Sequence, residues 1–177
     1  MGKIGFVAIG AGVLAVIAIL FNKNKIMEAF KGASENVFSF ISSLEGFYDK
    51  PYWDYSQWSV GYGSGFNWDT NTPVTKDTTV NKETAKRWLL AEAEKNMITI
   101  NTNVKVPLNV NQRTALAAFV YNVGDGAFKK STLLKKINAN APRAEIEAQW
   151  KKWNIAGGTI NEGLVNRRAK EIKMYFS

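Results

Sequence analysis

The chain has 177 residues, with 23 Lys and Arg against 15 Asp and Glu, a formal charge of +8, and neither His nor Cys. Those two absences exclude an imidazole base, a thiol nucleophile, thiolate or imidazole ligands for zinc, and disulfide control. The positive balance attracts an anionic partner, and with no calcium-loop pattern and no Gly-rich phosphate loop carrying a Lys, neither a metal nor a cofactor is expected.

Residues 4–21 form an uncharged run of 18 between Lys3 and the pair Lys23 and Lys25. As a helix at about 1.5 Å per residue the run reaches about 27 Å, close to the hydrocarbon thickness of a bilayer. It also exceeds the apolar core of an ordinary signal peptide. A transmembrane or signal-anchor helix is therefore expected over residues 1–22, moderately apolar because Gly5, Ala8, Gly10, Ala11, Gly12, Ala15 and Ala18 dilute it. Residues 23–33 read as a connector, and residues 34–177 are long enough for one well-formed core.

In this domain Val37, Phe40, Ile41 and Leu44 follow helical spacing, with Ser34 as an N-cap and Gly46 as the left-handed residue that ends the helix. Glu45 then falls on its last turn. Tyr52, Trp53, Trp58, Val60 and Tyr62 favour strands, and Gly61, Gly63, Gly65 and Pro73 punctuate them, which predicts one small antiparallel sheet. Further helices are expected over 82–103 after an Asn81 cap, 111–123, 132–139, 143–153 after Pro142, and 162–176. In the first of these, Ala85, Trp88, Leu89, Ala93, Met97 and Ile100 make a stripe that Glu92 interrupts; in the second, Leu116, Phe119 and Val120 make a buried face. The class is α+β: a mostly helical, two-lobed domain with one small sheet.

Glu45 and Asp54 lie nine residues apart across a turn. Glycosidases use such a pair, one carboxyl group kept protonated for the leaving oxygen and one ionised to activate water or attack the sugar. An Asp beside Ser56 and Gln57 also reads as a turn carboxylate capping a backbone amide, and Ser59 as an ordinary strand hydroxyl.

The run Glu45-Gly46-Phe47, Tyr52-Trp53-Asp54 and Trp58-Ser59-Val60-Gly61-Tyr62-Gly63 resembles the active-site signature of phage-type lysozymes, the endolysins of glycoside hydrolase family 24. Tyr121-Asn122-Val123-Gly124, Ala127-Phe128 and Ser131-Thr132-Leu133-Leu134 are similar to the family's central helix and following turn, and Gly163-Leu164, Arg167-Arg168 and Glu171 to its C-terminal helix. The interval from Asp54 to Ser59 is one residue shorter than in the best-known members, and Ser stands where many have Thr. The resemblance implies a muramidase in which Glu45 is the general acid, Asp54 the ionised partner and Ser59 the hydroxyl that holds the water. It also implies that Asn122 lines the cleft and that Arg168 approaches Glu45, with Arg167 competing. Tyr62, Trp53, Trp58 and Trp68 are candidate platforms for sugar rings, although aromatics at this density are more often core.

The expected partners are peptidoglycan and, through residues 4–21, a membrane, with the catalytic domain facing the wall from the host inner membrane or from a virion membrane; nucleic acid is not expected. The moderately apolar run resembles the signal-anchor-release segments of some phage endolysins. Two other readings stay open: a lytic transglycosylase in which Glu45 alone carries the acid and base steps, and a non-enzymatic, membrane-tethered basic binding or assembly protein.

Overall fold

A computed structural model describes residues 34–177, apart from residues 55 and 56. The expected membrane helix at 4–21 and the connector at 23–33 lie outside the described residues. Among those residues, no helix is long and apolar enough to cross a membrane.

Residues 34–45 are helical and are called α1, so Ser34 lies within the helix and is not its N-cap. Gly46 takes the left-handed conformation at φ 72° and closes the helix with a hydrogen bond from its N–H to the Ser42 carbonyl. The chain then enters a hairpin of β1 (Tyr48–Asp54) and β2 (Gln57–Gly61), paired antiparallel with Tyr52 opposite Ser59 and Asp54 opposite Gln57. Register shifts between Tyr48 and Tyr52, where Pro51 has no N–H to give to the ladder. Where one small sheet was expected there are, among the described residues, three two-stranded ones. β3 (Phe66–Asn67) pairs with β4 (Thr72–Pro73), and β5 (Ile155–Ala156) pairs with β6 (Thr159–Ile160). The last hairpin was missed because its strands have two residues each; its only signal is the Gly157-Gly158 turn, with both residues at positive φ.

The helices follow as α2 (Lys82–Asn103), α3 (Val110–Val123), α4 (Asp125–Lys130), α5 (Thr132–Asn138), α6 (Arg143–Lys151) and α7 (Glu162–Tyr175). Asn81 caps α2 by accepting from the Thr84 N–H. Asn109 and Gln112 form a reciprocal capping box on α3, Ser131 caps α5 and Asn161 caps α7. Each cap of this kind is worth about 1 kcal/mol. Helix α4 was not foreseen because six residues containing Gly126 carry no helical period; it is held by Phe128, which is fully buried. The helix expected over 143–153 stops at Lys151, two residues short.

Two apolar clusters give the domain its lobes. The smaller gathers Val60, Val74, Val80, Ala85 and Trp88 beside the hairpin. The larger surrounds α3, whose residues 114–120 are all buried, and places the Phe119 ring against Phe128, Trp150 and Trp153 at 5.3–6.3 Å. Such edge-on aromatic pairs add about 0.5–1.5 kcal/mol each beyond their area. Helix α2 serves both lobes, giving Ala85 and Trp88 to the first and Leu89, Ala93 and Ile100 to the second.

Candidate active site

Glu45 ends α1 where Gly46 redirects the chain, which leaves its carboxyl group free of helix backbone and 20 % exposed. Arg167 on α7 reaches it: NH1 donates to Glu45 Oε1 at 2.5 Å. Arg167 is itself 7 % exposed and has a partner on every edge of its guanidinium, with Nε donating to Glu171 Oε1 and NH2 to the Ala118 carbonyl, both at 3.0 Å. A planar fork held at three edges has one orientation. The other side of Glu45 meets Gly63, where a β-carbon would stand 3.6 Å from Oε2. Gly63 has φ +91°, a conformation that side-chain-bearing residues rarely adopt, and a β-carbon there would stand in van der Waals contact with the carboxylate.

Asp54 is partly buried at the end of β1, opposite Gln57. Two positions before it, the Tyr52 phenol is pushed up to about 12, first by burial and then by the negative charges of Asp54 and Glu45. The Gly63 β-carbon position lies 3.8 Å from the Tyr52 hydroxyl as well as 3.6 Å from Glu45 Oε2, and Asp54, two residues along β1 from Tyr52, falls on the same side of the strand. Ser59, across the ladder from Tyr52, is fully buried, and its hydroxyl accepts from Gln57 Nε2 at 3.5 Å. The Gln57 amide also fills the space over Gly65.

The remaining sequence candidates are distributed differently from the expectation. Arg168 does not reach Glu45; that contact is made by Arg167. Consecutive residues on a helix project about 100° apart, so only one of the pair faces α1. The other turns into the core, where Arg168 is 1 % exposed over the Phe119 ring and donates from NH2 to Asn122 Oδ1 at 2.6 Å. Burial pulls Arg168 down to about 10, so it remains charged at neutral pH. Asn122 is exposed on the last turn of α3 and is tied to that arginine. Tyr62 packs its ring between Phe38 and Phe47, at 5.6 and 5.5 Å, and its carbonyl accepts from the Tyr121 hydroxyl.

Two acids were missed as members of this region. Burial pushes Glu92, on α2, up to about 7, with Glu45 and Asp125 adding and Lys95 opposing; its position in an otherwise apolar stripe was the signal. Glu171 is fully buried and bonded to Arg167 and Trp150, which a helical wheel alone does not reveal. Among the described residues no group of His, Cys, Asp and Glu is placed to hold a metal ion. A surface hollow of about 420 Å³ between α6 and α7, lined by Arg143, Glu147, Lys151, Ile172, Lys173 and Phe176 among others, contains none of these candidates.

Comparison with known proteins agrees with this frame. The family model described as phage lysozyme matches residues 42–171. The chain is 33 % identical over 140 residues to an endolysin of Bacillus phage PZA, covering 77 % of this chain but 52 % of that protein, so it spans about half the length of that relative. It is also 33 % identical over 169 residues to a SAR-endolysin of Enterobacteria phage PA-2, covering 93 % of this chain and 88 % of the other. Among solved structures, an endolysin from Escherichia coli O157:H7 phage FAHEc1 superposes with a TM-score of 0.71 at 29 % identity, over 80 % of this chain and 91 % of that one. A match over most of the described domain, in sequence and in fold, means that the chain belongs to the phage lysozyme family.

Proposed function

We propose that the protein is a peptidoglycan hydrolase, a muramidase of glycoside hydrolase family 24, cutting the glycan between N-acetylmuramic acid and N-acetylglucosamine. The observation that carries the reading is that the Glu45 carboxyl, from the end of α1, and the Tyr52 hydroxyl, from two residues before Asp54 on β1, border one position at Gly63, 3.6 and 3.8 Å from where its β-carbon would stand. Two acids brought to one face from different elements are what glycoside cleavage requires.

In this reading Glu45 donates its proton to the bridging oxygen as the bond to the sugar carbon breaks. Asp54 remains ionised, stabilises positive charge developing on the ring, and orients a water for attack on the carbon; Ser59 contributes to the placement of that water. Asp54 takes the water's proton as the new carbon–oxygen bond forms, and exchange with solvent returns a proton to Glu45, so the products are two shorter glycans, one with a new reducing end. Arg167 holds the Glu45 carboxyl between catalytic events, and substrate entering the site exchanges that contact for the glycosidic oxygen. Charge favours the encounter, since +8 on the chain draws it to an anionic wall polymer.

Residues 4–21 would tether the enzyme to the bacterial inner membrane with the catalytic domain toward the wall, or to a virion membrane during entry. The similarity to a SAR-endolysin of Enterobacteria phage PA-2 supports a membrane-released mode of action for host lysis.

The test is Glu45→Gln together with product analysis. Removal of the donor proton at constant shape lowers turnover on purified peptidoglycan by about 10²–10⁴-fold, the range for a general acid. Mass spectrometry of wild-type products shows reducing muramic acid ends. Anhydro ends with an active Asp54→Asn variant would make the enzyme a transglycosylase, and undiminished activity of Glu45→Gln would remove the acid assignment.

A further inference from the structure

Behind Glu45 lies a buried ionic cluster, built where α7 packs on α6. Glu171 is fully buried, yet both of its oxygens are occupied. Oε1 accepts from Arg167 Nε at 3.0 Å, Oε2 accepts from Trp150 Nε1 at 2.9 Å, and Arg168 Nε stands 3.2 Å from Oε2. Burial raises Glu171 above the ordinary carboxylate range, opposed by Arg168, by Arg167 and by the Trp150 N–H. A core position of this kind is filled at less cost by an apolar side chain, because taking charges out of water is expensive even when they are paired. The cluster is therefore poor as a stabilising device, and its geometry leads elsewhere: the arginine it holds is the one that touches Glu45.

We propose that Glu171 is a positioning residue for Glu45, clamping Arg167 through Nε so that its NH1 edge meets the acid, and offsetting the two cations gathered behind it. The inference rests on the reading of Glu45 as proton donor. The clamp follows from the three bonds of Arg167, of which only the Glu171 contact restrains the Nε edge. The charge balance follows from a count of groups. Arg167 and Arg168 come from α7, and Glu171 answers one of them. Tyr52 from β1, Glu92 from α2 and Tyr121 from α3 also act electrostatically on the Glu45 surroundings, but the two phenols are uncharged at neutral pH. With Glu171 neutralised, the charges of Arg167, which touches Glu45, and of Arg168 behind it would stand uncompensated and favour the ionised form of Glu45, which cannot donate a proton.

The test is the pH dependence of kcat/KM for Glu171→Gln and Arg168→Gln, each shown to be folded by circular dichroism. Glu171→Gln moves the alkaline limb to lower pH by about half a unit or more, and Arg168→Gln, which removes a cation, moves it to higher pH. Glu171→Asp retains the anion and returns the limb to within about 0.2 unit of the wild type. A purely structural Glu171 predicts a uniform loss of activity with the limb unmoved. Unmoved limbs, or limbs moving the same way in Glu171→Gln and Arg168→Gln, overturn the proposal, and if only one of the two folds, its direction decides. Glu45→Gln measured alongside separates the two failures. Full activity there removes the donor assignment, whereas an inactive Glu45→Gln with unmoved limbs removes only the role of Glu171.

Discussion

Arg167 NH1 lies 2.5 Å from Glu45 Oε1, a contact between residues 122 positions apart that ties the last helix to the end of the first. The same guanidinium bonds Glu171 and the Ala118 carbonyl, so α1, α3 and α7 meet at one side chain. Truncation by Arg167→Ala leaves Glu171 buried with one charged partner fewer and leaves a backbone carbonyl without its donor. Breaking a buried pair in this way costs about 3–5 kcal/mol, which for a domain of this size lowers Tm by roughly 10 °C. Differential scanning calorimetry checks it; a drop of only a degree or two would mean that water replaces the arginine.

Glu92 makes stability depend on pH. Burial pushes it up to about 7 from an ordinary 4.5, so between those values the folded chain binds a proton that the unfolded chain has released. The contribution is fully present below about 4.5 and is lost as pH rises through about 7. Its size is at most about 3 kcal/mol, at about 1.4 kcal/mol per pKa unit. Glu92→Gln removes the ionisation, so at pH 8 the variant melts several degrees above the wild type, and near pH 4 the two coincide. Thermal melts of both proteins at these two pH values measure it, and equal melting temperatures at pH 8 would show that Glu92 is solvated.

Much of this domain was legible because its signals are local. Asn81, Pro142, Gly46 and the apolar spacing of α1, α2 and α3 act within one or two turns, and each is found where its chemistry directs. That Glu45 ends a helix and Asp54 lies in the hairpin after it was legible for the same reason, since those elements are contiguous. Information that depends on packing angle was not. Arg167 and Arg168 are identical in composition and adjacent in sequence, and only the rotation of α7 against α1 and α6 decides which one meets Glu45 and which stacks on Phe119. Glu171 belongs to the same class: a Glu one turn beyond an Arg reads as a solvated i,i+4 pair until Trp150 and the core close over it.

Gly63 separates backbone strain from contact with the acid. Its φ of +91° and a β-carbon 3.6 Å from Glu45 Oε2 mean that Gly63→Ala brings both strain and a methyl group against the carboxylate. Gly124 has φ +82° but open space around its β-carbon position, so Gly124→Ala brings strain alone. Each variant loses about 1–3 kcal/mol, the cost of holding a residue with a β-carbon in a sparsely populated positive-φ conformation. Only Gly63→Ala also loses turnover, by about tenfold, equivalent to about 1.4 kcal/mol in the barrier. Urea melts and turbidity assays on both variants test this, and an equal loss of activity in the two would show that strain, not contact, is responsible.

Trp53 tests whether the hairpin's outer face takes part in binding. It neighbours Asp54 on β1, is 58 % exposed, and touches Trp58 edge-on at 5.4 Å across the strand pair. An exposed indole contributes little to the core, so Trp53→Ala costs no more than about 1 kcal/mol, the value of a cross-strand aromatic pair. A sugar ring stacked on it would bury that surface, and the loss would fall on binding and not on the chemical step. KM for soluble glycan fragments then rises about three- to tenfold while kcat stays within about twofold, the pattern of an interaction made equally in ground and transition states. Fragment kinetics on Trp53→Ala beside Trp58→Ala, whose ring is also packed against the smaller apolar cluster, separate binding from folding. An unchanged KM in Trp53→Ala would assign the exposed ring to something other than the glycan.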